Sequence, residues 1–146
     1  MAEAVAYALG EVGIEVRVQS LEWGTFFADI QAGNFQLYSL VWVGVTEPDI
    51  YYNAFNSQSR PPVGANRGRY SNPELDRLTE AGRQTFDLAE RRAIYSQVQK
   101  ILAHDLPYVN LFYSDADVIA DRRLQGFVLY PEGDFRSLAQ AGWNSK

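Results

Sequence analysis

Cysteine is absent from this chain, which excludes thiolate nucleophiles, disulfides and Cys-based zinc sites. Histidine occurs once, as His104. One imidazole without thiols cannot build an ordinary zinc centre, and it would leave a Ser-His-Asp triad unsupported. No Gly-rich phosphate cradle is present, neither GxGxxG nor GxxxxGK[ST]. No apolar run approaches the roughly 20 residues that span a bilayer, and the first residues carry no basic segment followed by an apolar one, the mark of a secretory leader. A basic excess is missing as well: 13 Lys and Arg against 18 Asp and Glu leave a formal charge of −5. Acids flank Arg91-Arg92 and Arg122-Arg123, so nucleic acid is not an expected partner. With no cofactor or metal implied, these absences argue against an enzyme and for a binding module.

Apolar residues make up 47% of the chain and aromatics 14%, enough for one domain with a core, expected over 1–146 with residues 126–146 as an appendage. The organising stretch is QLYSLVWVGVTEPDIYYNAF, Gln36 to Phe55. Leu37 to Val43 reads as a buried strand that stops at Gly44. Thr46, Glu47, Pro48 and Asp49 form a turn, and Ile50, Tyr51, Tyr52 and Phe55 follow as an aromatic cluster on a loop or short helix. A strand delivering Trp42, acids and aromatics at its C-terminal end has the layout of an α/β ligand site. Aromatics filling a satellite core under a loop explain the same residues equally well.

Before this stretch, Ala2 to Val12 predicts a helix with Gly13 behind it, and the helix begins without a capping residue, as though the chain were cut there. Ile14 to Val18 alternates like a half-buried strand. Trp23, Phe26, Phe27 and Ile30 share one helical face closed by Gly33. Helix, strand, helix, strand predicts an α/β layer with right-handed crossovers. After it, Ser57 to Gly68 reads as a polar surface loop. A helix starts at Asn72-Pro73, or at a Ser71/Glu74 capping box. Asp87 opens a second helix, giving an αα-hairpin that ends at Asp105-Leu106-Pro107. Tyr108 to Tyr113 and Val118 to Ala120 read as strands, and the pattern fades into loops and a polar tail after Trp143.

Glu47 and Asp49 are the one acid pair in a plausible cleft; they would suit glycosidase-like acid/base work or a hard cation, but turn formation accounts for them as well. His104 belongs at a helix C-terminus, where its charge suits the dipole. Arg67 and Arg69 could face the cleft or a membrane partner, and surface solvation is the favoured reading for both.

The order of features resembles the C-terminal lobe of the family 5 extracellular solute-binding proteins, the peptide, nickel and oligosaccharide receptors of ABC importers. VGIEVRVQSLEW resembles the family's helix-to-strand step, GNFQLYSLVWVG its strand ending in Gly-Trp character, and TEPDIYY the acid-proline turn after it. RYSNPELDRLTEAGRQTFDLAERRAIYSQVQKILAHDLPYVNLFY resembles the most distinctive block, and RLQGFVLYP the tail. The resemblance covers nearly the whole chain. It implies a periplasmic-binding-protein-like α/β lobe, a mixed sheet flanked by helices, lacking its first strand and the whole N-terminal lobe, with exposed sheet edges prone to self-association.

The implied function is capture of a peptide or other small solute between two lobes for import, without catalysis. The implied partners are that solute, the missing lobe and a membrane permease, at a periplasmic or extracellular location, with a lipid anchor an option for the full-length protein. Ligand contacts fall on Trp42, Gly44, Val45, Thr46 and Glu47, then on Tyr51 and Tyr52. Residues 126–146 would return toward the missing lobe. Two alternatives stand beside it: a carboxylate-dependent hydrolase using Glu47 and Asp49, and a protein-interaction domain using Tyr51 and Tyr52. Peptide-binding members often carry an Asp two to four residues after the strand Trp to meet the ligand's ammonium. Here no acid follows Trp42 until Glu47, and an unpaired ammonium in a closed cleft is costly.

Overall fold

Phe55 sits where three helices, a loop and Tyr108 meet. The computed structural model describes residues 1–113, 117–131 and 133–144; the last two residues of the polar tail lie outside them. Its helices are α1 (Ala2–Gly10), α2 (Trp23–Ala32), α3 (Ile50–Phe55), α4 (Pro73–Gln84) and α5 (Leu88–Asp105). A short antiparallel ribbon pairs β1 (Leu124–Gln125) with β2 (Gly142–Trp143), and a 3-10 turn spans Arg136–Gln140.

The core is helical. Ala54 and Phe55 of α3, Leu75 and Leu78 of α4, and Tyr95 and Val98 of α5 bury one another, with Tyr51, Tyr70, Ile94, Ile101, Leu102 and Tyr108 packed around them. Local chemistry sets the helix ends. Asn72 caps α4, its side-chain oxygen accepting from the N–H groups of Glu74 and Leu75 at 3.0 and 3.2 Å, with Pro73 at the first position. The Ser71/Glu74 alternative is thereby decided. Asp87 accepts from Glu90 N–H at 2.8 Å to open α5, and Gly33 closes α2 at φ 86°. The expected hairpin forms, joined by residues 85–87. At its crossing a Cβ on Gly82 would lie 2.8 Å from the Tyr95 ring, so glycine allows the helices to approach this closely.

The α/β, binding-protein-like character holds, but the sheet is smaller than expected. Ile14–Val18, Leu37–Val43, Tyr108–Tyr113 and Val118–Ala120 form no ladder among the described residues. Nor is Leu37–Val43 buried: Leu37 and Val43 are 71% and 77% exposed, while Tyr38 and Leu40 are half-buried. The period of two survives, but a strand exists only when a neighbour supplies the other half of its hydrogen bonds. Helix α1 ends before Val12 and buries no residue fully.

The Ser57–Gly68 segment is also more than surface. Asn56, Ser59, Ala65 and Asn66 are buried within and just before it. Asn66 donates its amide to the carbonyls of Asn56 (3.0 Å) and Tyr70 (2.8 Å) and accepts from Tyr70 N–H (2.9 Å). Asn56 donates to Thr79 Oγ1 at 3.1 Å, and Ser57 bonds both Asp76 oxygens at 2.8 and 2.6 Å. Loop backbone that cannot reach water is thus satisfied by side-chain amides. The ribbon was not expected either. It exists because Gly126, at φ 76°, lets Gln140 carbonyl oxygen come within 2.5 Å of where a Cβ would stand.

Candidate functional site

Trp42, Val43, Gly44, Val45, Thr46 and Glu47 run along an open groove of roughly 400 Å³, closed at its far end by Asp49, Ile50 and Asn53 at the start of α3. That volume lies within the range of small-molecule sites, about 300–1,000 Å³. Gly44 adopts φ 70°, a left-handed conformation that ends the extended run and turns the chain toward Glu47. A depression of similar size at the β1–β2 ribbon is lined by no ionisable side chain.

Two arginines from the hairpin hold the groove's acidic rim. Arg91, in the first turn of α5, meets Glu47 with both terminal nitrogens at 2.8 and 2.6 Å, and its Nε donates to Gly82 carbonyl at 3.2 Å. Arg83, in the last turn of α4, brings Nε to 2.9 Å from Asp49 Oδ1 and lies over the Tyr52 ring at 4.0 Å. That Arg83–Asp49 contact is close but poorly aligned, and Asp49 Oδ1 has no hydrogen-bond partner. The Arg91 hydrogen bonds hold the Glu47 carboxyl below its usual titration range. Such exposed pairs add little stability, but they orient the rim.

Five of the seven expected contact residues therefore line one groove: Trp42, Gly44, Val45, Thr46 and Glu47. Tyr51 and Tyr52 do not. Tyr51 stacks near Phe55 and Tyr95 and accepts from Gln99 Nε2 at 3.1 Å, and Tyr52 lies beneath Arg83. Tyr51 packs on the helical core and Tyr52 meets Arg83 of α4, so neither is among the residues that line the groove. The protein-contact alternative loses its exposed aromatic patch. The hydrolase alternative finds both its acids engaged, Glu47 by Arg91 and Asp49 against Arg83. Asn53, Arg83 and Arg91 had no signal in the sequence; their roles depend on contacts between distant segments.

Next to the groove lining, Arg67 lies over the Trp42 ring at 5.2 Å and the Phe27 ring at 5.3 Å. Arg69 donates to Ala32 carbonyl at 2.8 Å, at the C-terminal end of α2. Neither is simply solvated. Nearby, Tyr38 and Tyr108 share a hydroxyl contact of 3.3 Å, and burial followed by that contact pushes the Tyr108 hydroxyl up in pKa.

No protein-family model matches the chain. In sequence it is 29% identical to a protein called di/tripeptide-binding protein 4 of Pseudomonas aeruginosa (strain UCBPP-PA14), over 84% of this chain and 23% of that protein. It is 28% identical to the oligopeptide-binding protein AppA of Bacillus subtilis (strain 168), over 100% of this chain and 27% of AppA. The sequence similarity is thus to proteins named as peptide-binding proteins. The fold agrees: HbpA2 from Haemophilus parasuis superposes with a TM-score of 0.73 at 21% identity, over 98% of this chain and 28% of that one. The chain spans about a quarter of the length of the curated relatives it matches, and those relatives are named as binding proteins.

Proposed function

We propose that this chain is the C-terminal lobe of an extracytoplasmic receptor that captures a small solute, a peptide or another molecule, for an ABC importer. The groove from Trp42 to Glu47 is one wall of the site; a second lobe of the same protein supplies the other and closes over the solute. A membrane permease then receives it, at the periplasmic or extracellular face. The observation that carries this assignment is the groove itself. Its wall is apolar and aromatic, its acids are already neutralised by Arg83 and Arg91, and the chain around it aligns with peptide-binding proteins. Binding is what such a wall supports, since among the described residues both acids at the groove lie against arginines.

Half a cleft makes half the contacts, and closure rewards only a ligand that touches both lobes. Calorimetric titration with di- and tripeptides is expected to give micromolar or tighter binding for the two-lobed receptor and much weaker binding for this chain alone. Micromolar affinity in the lone chain, or chemical turnover of a bound solute, would overturn the proposal.

A further inference from the structure

Resting on the proposed function above, we propose that Arg67 is the anion-recognising group of this site and takes a carboxylate of the solute. Five described arginines lie over aromatic rings. Arg83, Arg91, Arg123 and Arg136 each lie over a Tyr or Trp and each also holds a carboxylate: Asp49, Glu47, Asp121 and Asp134. Arg67 lies over Phe27 and Trp42 in the same manner, yet among the described residues no carboxylate or carbonyl accepts from its guanidinium. A guanidinium whose faces rest on aromatic rings keeps its in-plane N–H fork for a bidentate acceptor, and carboxylate is the acceptor that fits it best.

Its position matters as much as its lack of a partner. The ring it rests on is Trp42, which walls the groove. The residue before it, Asn66, is fully buried and hydrogen-bonded on three sides, and Arg67 N–H donates to Ala65 carbonyl at 2.8 Å. The side chain therefore springs from a fixed backbone and is half-buried, so little freedom is lost when it meets a ligand. The charges nearest the groove support the same sign. Glu47 and Asp49 are each matched by an arginine, and the unmatched charge beside Trp42 is positive. A solute with a free carboxylate answers it; a solute whose main charge is an ammonium finds no free acid.

Millimolar titrations of the chain, followed by NMR through the Trp42 indole and Arg67 Nε–H signals, test this with three probes. They are N-acetyl-dialanine, its C-terminal amide, and succinate as a carboxylate that is not a peptide. The acid is expected to shift both signals saturably and the amide to bind roughly tenfold or more weakly. Succinate shifting Arg67 as strongly as the peptide acid assigns the site to carboxylates in general; a weaker response assigns it to peptide C-termini. Arg67→Met, which keeps the stem packing, is expected to remove the preference for acid over amide. Arg67→Lys, which keeps the charge and loses the fork, is expected to lower affinity for the acid by a smaller factor, and serves if the Met variant does not fold. Equal binding of acid and amide, or unaltered acid binding in a folded variant, overturns the role of Arg67 while Trp42 shifts still uphold solute binding. No Trp42 shift with any probe overturns Arg67 as a carboxylate site of this chain, while the two-lobed titration above still decides the proposed function.

Discussion

Arg91 faces Glu47 with both arms of its guanidinium, at 2.8 and 2.6 Å, across 44 residues of chain. The first turn of α5 thus fixes the rim of a groove whose wall was built far upstream. The Glu47 carboxyl is held below its ordinary value of 4.5 mainly by these hydrogen bonds. Its contribution to the folded state is present above that value and lost as pH falls through the lowered one. In Arg91→Met the Glu47 midpoint is expected to rise toward 4.5, read by carboxyl carbon NMR. An unchanged midpoint would show that the pair does not form in solution.

A second carboxylate should report on the hairpin's far end. Asp105 accepts from His104 Nδ1 at 2.9 Å, from the Tyr70 hydroxyl and from Asn72 Nδ2 at 2.9 Å, and in that order these partners lower its carboxyl to about 2. Burial, then Asp105, pushes the Tyr70 hydroxyl up to about 12, so it remains a donor at neutral pH. The folded pKa of Asp105 lies below its ordinary 3.8; its stabilisation is therefore complete above 3.8 and disappears as pH falls through about 2. The melting temperature of Asp105→Asn is expected to lie below that of the parent chain at neutral pH and to approach it in that acid window. A gap that stays constant down to pH 2 would rule out this linkage.

Gly82→Ala tests the helix crossing. The added Cβ would sit 2.8 Å from Tyr95 Cζ and 2.9 Å from its hydroxyl, and overpacking of this kind costs about 1–3 kcal/mol. Urea unfolding is expected to show that loss, and Tyr95→Leu in the same chain to recover part of it through coupling of the two positions. A neutral Gly82→Ala would mean that the helices cross farther apart.

Asn66→Ala removes a buried amide that serves Asn56, Tyr70 and, at 3.4 Å, Phe55. The buried groups left without partners cost roughly 1–3 kcal/mol each. A fall in stability on the order of 3 kcal/mol is expected, together with shifts in the Trp42 indole NMR signal, because the loop carrying Arg67 rests on this side chain. Loss of stability with the indole signal unmoved would separate the loop from the site.

Much of the helical half was legible because its signals are local. Asn72, Pro73, Asp87 and Gly33 act within one turn of themselves, so their spacing is enough to place α2, α4 and α5. The groove wall was legible for a similar reason: Trp42 to Glu47 is one continuous segment, and an extended run broken at Gly44 presents it whichever partners it finds. The surroundings of Tyr51 and Tyr52 were not legible, because the same aromatic residues suit a cleft or a core; folding sets Tyr51 on the core and Tyr52 against Arg83.

By itself, the amino-acid sequence determined the helices, their caps, the break at Gly44 and the resemblance to peptide-binding proteins, since each rests on residues near one another or on their order along the chain. Tertiary structure alone decided which segments pair as strands, that Glu47 and Asp49 answer to Arg91 and Arg83, and that Arg67 rests on Trp42 with no carboxylate bonded to it among the described residues. Those contacts join residues tens of positions apart. A charge or a ladder edge has no meaning until folding brings its partner, or fails to bring one, within about 4 Å.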